Sequence, residues 1–136
     1  MALVAPFRAE PPTVHARHFL SCISADEVIT GLRYFRQQIG RPLVLVWGRL
    51  AADRSRRVRD FLARHQADYR VEWLPGYAPE LNPEEQCNNC VKLALLNVVP
   101  ETVEDLRALA SRHFKRLARK PHLLYHFFQH TGLSVT

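Results

Sequence analysis

Cysteine is scarce in this chain, at three residues, and that is too few for a disulfide framework. The expected setting is therefore a reducing cytoplasm. No apolar run approaches the ~20 residues of a membrane span, so no membrane role is expected. The first residues, MALVAPFRAEPP, lack a charged segment followed by a long apolar core, and read as no secretory signal. There is no internal repeat and no low-complexity tract. Disorder is excluded by the balance of 47% hydrophobic and 24% charged residues. What is present is 136 residues, enough for one domain with a modest core. The formal net charge of +6 favours a polyanionic partner, nucleic acid first.

Residues 1–23 carry little pattern. Pro6, Pro11 and Pro12 break any helix there, and Ala16–Ile23 could be a strand. Ser24 opens a helix through the capping box SADE, with Val28, Ile29, Leu32, Phe35 and Ile39 on one face. Gly40 and Pro42 end it. Leu43–Trp47, LVLVW, is apolar on both faces, as a buried parallel strand would be. A second helix, SRRVRDFLARH, turns Val58, Phe61 and Leu62 inward. Arg70–Leu74 reads as a second strand, followed by a helix from Pro83 to about Asn97. Thr102 caps a long helix to about Arg119, with Val103, Leu106, Ala110, Phe114 and Leu117 at helical spacing. Pro121 opens a last helix that Gly132 closes. Helices alternating with strands predict an α/β fold with a mostly parallel sheet flanked by helices, and a helical C-terminal extension. The loops after the two strands, 48–53 and 75–83, are expected side by side at the carboxyl rim, where such sheets place their sites.

The loop LPGYAPELNPEEQ, Leu74–Gln86, is unusually stiff. It holds three prolines, a glycine and an Asn-Pro pair before two adjacent carboxylates. Two readings stand side by side. In one, Asn82 is an N-cap, Pro83 is the first helical residue, and Glu85 at the third position completes a capping-box-like start. In the other, a carboxylate at a rigid helix entrance just beyond a strand holds a metal ion.

The stretches LVLVWGRLAADRSRRVRDFL and VEWLPGYAPELNPEEQCNNCVK resemble the catalytic domain of mariner-type bacterial insertion-sequence transposases. The resemblance runs from about Ser24 to Leu133, and more faintly upstream. It implies a partial RNase H-like fold and a triad of acids, two Asp and one Glu, that carries two divalent ions, Mg²⁺ or Mn²⁺. One such ion activates the attacking hydroxyl and the other stabilises the leaving oxygen. By position, the third carboxylate is Glu85, which makes it the one implied metal ligand. The second Asp falls on Gly48, with 36 residues between the two positions. Asp53 stands where the family has a His, and is a weak substitute for the lost acid. The first Asp belongs to a strand for which this sequence shows no match. The resemblance thus implies a truncated, degenerate domain that has lost catalysis and lacks a helix-turn-helix. A non-catalytic DNA-binding remnant and a decayed reading frame are the alternatives. The implied partner is duplex DNA, bound without sequence preference by a nucleoid-associated protein. A homo-oligomer or a complementing transposase chain is a further possible partner.

Candidate phosphate contacts are Arg54, Arg56 and Arg57, with Arg59, on the second helix, and Lys92 two turns beyond Glu85. Each also fits a merely solvated helix face. Arg112, Lys115, Arg116, Arg119 and Lys120 fit a helix end favoured by its dipole, or a DNA contact. Cys87 and Cys90 form a lone CxxC, without the second pair of ligands that zinc needs. His122, His126 and His130 recur on one helix face, where packing and metal binding are both open.

Overall fold

A computed structural model describes residues 2–4 (backbone only), 11–19, 22–47, 55–76 and 78–132. In chain order the elements are β1 (Ala2–Val4), β2 (Thr13–His15), α1 (Ala25–Ile39), β3 (Leu43–Trp47), α2 (Arg56–Arg64), β4 (Tyr69–Trp73), a 3-10 turn (Pro79–Leu81), α3 (Pro83–Leu95), α4 (Val103–Ala118) and α5 (Pro121–His130). The protein is a mixed α/β chain with a small parallel sheet. It divides into two units, Phe19–Ala78 and the combination of Met1–His18 with Pro79–Thr136.

The Phe19–Ala78 unit is built from α1, β3, α2 and β4. Glu27 accepts from the Ser24 backbone N–H at 2.9 Å, which satisfies one of the free donors at the start of α1. Gly40 ends the helix in the left-handed conformation, φ 72°, and its N–H donates to the Arg36 carbonyl. Leu32, Phe61 and Tyr69 form the core, with Val28, Ile29, Leu43, Leu45, Trp47 and Leu62 packed around them. Fully burying each large apolar side chain contributes roughly 1.5–3 kcal/mol. Two polar contacts fix α1 against the start of β4 and the residue before it. The Tyr69 hydroxyl donates to the Leu32 carbonyl at 3.2 Å, and Arg36 pairs with Asp68 at 2.9 Å.

β3 and β4 run parallel, with Leu43 opposite Tyr69 and Trp47 opposite Trp73. Leu43 donates to the Asp68 carbonyl and Leu74 donates to that of Trp47, so the ladder begins at Tyr69 and closes at Trp73. The expected strand Arg70–Leu74 is therefore shifted by one residue. The expectation that β3 is buried on both faces is also corrected. Leu43, Leu45 and Trp47 face the core, whereas Val44 is 62% and Val46 45% exposed. Among the described residues the sheet has two strands, and its helices cover one face. An apolar run says that a strand can be buried, and a second covering layer has to exist for it to be so.

In the other unit, β1 and β2 pair antiparallel, with Leu3 opposite Val14, and pack on α3 and α4. The strand in the N-terminal stretch is Thr13–His15. The described residues 16–19 are not strand, which corrects the expectation for Ala16–Ile23. The core is Cys87, Leu117, Leu124 and Phe127, with Val14, Cys90 and Leu123 against it. Thr102 and Asp105 form the capping box of α4, with reciprocal bonds of 3.0 and 3.1 Å. Of the apolar stripe along α4, Leu117 is buried, but Val103 is 67% and Leu106 42% exposed. Helical spacing identifies the apolar face without saying how far along the helix it is covered. α3 ends at Leu95 rather than near Asn97, because Leu96 and Val98 donate to carbonyls three residues back.

Candidate functional site

The proline loop delivers the chain into α3 by a sequence of local bonds. Pro79–Leu81 forms a single 3-10 turn, and the Asn82 N–H donates to the Pro79 carbonyl at 3.0 Å. The Asn82 side chain then accepts from the Glu84 N–H at 3.1 Å, and buried Pro83 takes the first helical position. The expected N-cap and proline are both in place. The capping-box reading of Glu85 is corrected. The donor that a capping-box carboxylate would take, the Asn82 N–H, is already held by Pro79. Glu85 is half-buried, and among the described residues no hydrogen bond or ion pair engages its carboxylate. Among the described residues no buried side-chain oxygen or nitrogen lacks a partner, so the Glu85 oxygens reach solvent. The result is a carboxylate on a stiff helix entrance with no structural bond to make.

The remaining sequence-predicted residues divide as follows. Gly48, Asp53 and Arg54 lie outside the described residues. Arg56 and Arg57 are exposed on α2, in the Phe19–Ala78 unit. Both face carboxylates. Arg57 grips Asp26 of α1 through two bonds, 2.7 and 3.1 Å, and Arg56 lies 3.8 Å from Asp60. Arg57 is thus occupied in joining two helices. Lys92 is exposed on α3, and no carboxylate pairs with it among the described residues. Glu85 and Lys92 belong to one unit, Arg56 and Arg57 to the other. Within the Phe19–Ala78 unit, Trp47 and Trp73 end their parallel strands side by side, with ring centroids 6.0 Å apart; the loop 48–53, expected beside 75–83, lies outside the described residues.

The CxxC is part of the core. Cys87 is fully buried against Leu117, Leu124 and Phe127, and burial, reinforced by Cys90 and Glu84, pushes its thiol up to about 12. Such a thiol is a small apolar group, and all three cysteines are free. His122, His126 and His130 are exposed along α5. Among the described residues no three of His, Cys, Asp and Glu converge to hold a metal ion. The described residues therefore do not fit a two-ion centre on their own.

A family model described as DDE superfamily endonuclease matches residues 10–107. The chain belongs to that family, whose members act on DNA and generally use divalent metals. No curated protein and no solved structure matches the chain. No helix among the described residues is long and apolar enough to cross a membrane.

Proposed function

We propose that this chain is a transposase-like DDE domain of the mariner insertion-sequence type, built on part of an RNase H-like fold. It retains DNA binding and has lost cleavage. The observation that carries the reading is Glu85, a half-buried carboxylate without a structural partner, on the entry turn that the Asn82-Pro83 pair fixes. Glu85 takes the place of the third acid. The second acid's place falls on Gly48, which offers no oxygen ligand from a side chain. A pair of divalent ions, Mg²⁺ or Mn²⁺, needs several carboxylate oxygens held to within ~0.5 Å, and one acid does not supply them. Asp53, six residues past Trp47 in sequence, is a weak substitute for the lost acid. The remaining activity is electrostatic, a +6 chain attracted to duplex phosphate without sequence preference. A complementing transposase chain would be the partner that supplies missing acids.

Incubation with supercoiled plasmid and Mg²⁺ or Mn²⁺ tests the loss of cleavage. No nicking above background is expected, and Glu85→Ala should change nothing. Metal-dependent nicking that Glu85→Ala abolishes would overturn this reading.

A further inference from the structure

From Leu106 to Thr136 the chain contains no Asp or Glu, yet it carries Arg107, Arg112, Lys115, Arg116, Arg119 and Lys120. The acids of this region, Glu101, Glu104 and Asp105, all lie at the entrance of α4, and Arg107 pairs with Glu104 there at 3.6 Å. The opposite half of α4 is different. Arg112, Lys115, Arg116 and Arg119 are exposed and line one shallow concavity together with Ala108 and Ser111. No carboxylate pairs with any of the four among the described residues. The Ser111 hydroxyl is hydrogen-bonded to His18 Nε2 at 2.9 Å, so the floor of the concavity is braced from the N-terminal stretch. His18 adds little charge, since burial, with Arg107 next, lowers its pKa.

The helix dipole accounts for part of this pattern. Lys115 and Arg116 lie in the last turn of α4, where a cation gains roughly 0.3–1 kcal/mol. It does not account for Arg112, which is a turn earlier, nor for four like charges gathered on one concave face. Such a face is self-repelling without a polyanion. The geometry suits a phosphate backbone. From Arg112 to Arg119 the helix rises about 10 Å. Duplex DNA carries a phosphate charge every ~1.7 Å of axis with both strands counted, so a face of this length meets several phosphates.

We infer that the Arg112, Lys115, Arg116 and Arg119 face of α4 is the principal duplex-DNA phosphate contact of this chain, ahead of the α2 arginines. This rests on the proposed retention of DNA binding. The contrast with α2 supports it, because Arg57 is held by Asp26 and Arg56 faces Asp60.

The test is the salt dependence of binding to a labelled random-sequence duplex, read by fluorescence anisotropy. Each phosphate contact contributes about −0.9 to the slope of log K against log salt. Replacing Arg112, Lys115, Arg116 and Arg119 together by Gln keeps helix propensity and removes the charge. That variant should flatten the slope by about 3. Replacing Arg56, Arg57 and Arg59 by Gln should flatten it by about 1 or less. The unmodified protein gives a second readout that does not depend on a variant folding. Amine-reactive labelling of Lys115 should slow when duplex is bound and recover at high salt. If wild-type protein binds but the α4 variant keeps the wild-type slope, the inference fails while the DNA-binding reading stands. Unprotected Lys115 in the bound state overturns it equally. Absence of any binding at low salt overturns both. Tighter binding to single-stranded RNA than to duplex DNA would overturn the choice of polyanion.

Discussion

β3 offers a test of the architecture by alternate substitution. Val44, Leu45 and Val46 are consecutive and all apolar, but the structure assigns them opposite surroundings. Leu45 packs on the cluster of Leu32, Phe61 and Tyr69, while Val44 and Val46 lie on the open face of the sheet. Lysine at position 45 would forfeit much of a leucine's burial, within the range of about 1.5–3 kcal/mol, and would press an ammonium against the cluster. A total near 3 kcal/mol is expected. With a urea slope of about 1–3 kcal/mol per molar, the unfolding midpoint should fall by roughly 1–3 M. Lysine at 44 or 46 meets solvent and should stay within about 0.5 kcal/mol of wild type. Either exposed lysine should also reduce self-association, because β3 has one edge that no strand pairs with among the described residues. Hydrogen exchange on a verified monomer reads the same alternation. The Leu43 N–H is bonded to the Asp68 carbonyl, one residue before β4, and the parallel ladder carries that pattern to Leu45, whose amide should exchange slowly. The amides of Val44 and Val46 point to the open edge and should exchange fast. Comparable destabilisation at all three positions, or slow exchange at all three amides, would show that a second layer or strand covers β3 and would refute the one-faced sheet.

Three further outcomes are expected. Leu124→Ala should cost about 2–5 kcal/mol in a denaturant melt, since Leu124 is fully buried against Cys87, Leu117 and Phe127, whereas Leu96→Ala, at a residue 72% exposed, should be nearly neutral; equal effects would contradict the core. Cys87 should be the last thiol to react with a thiol reagent in native protein at pH 8, because a thiol at about 12 is ionised to only about one part in 10⁴ there, and exposed Cys22 should react first. The raised thiol also sets a sign. The folded state holds the Cys87 proton up to about 12, against an ordinary value of 9.0, so its contribution to stability is complete below pH 9 and is lost as pH rises from there towards 12. Cys87→Ala should therefore show a shallower alkaline fall in stability than wild type, and an unchanged fall would place the thiol in water.

Much of the chain is legible because its instructions are local. Ser24 with Glu27, Thr102 with Asp105, Gly40 and the Asn82-Pro83 pair each set a helix end through bonds that reach three or four residues, and such bonds form wherever the rest of the chain goes. The parallel pairing of β3 and β4 follows from the helix between them. The structure decided the rest, once through a further local bond and otherwise through long-range contact. It showed that the Asn82 N–H is taken by Pro79, which leaves Glu85 without the capping bond its position suggested. It placed Cys87 in a core shared with α4 and α5, which no CxxC spacing announces. It also sorted the arginines. Arg57 and Asp26 are 31 residues apart, and folding brings them to 2.7 Å, while Arg112, Lys115, Arg116 and Arg119 have no carboxylate partner among the described residues. A sequence lists charges, but whether a charge is spent inside the protein or left for a partner depends on which opposite charge the fold brings beside it.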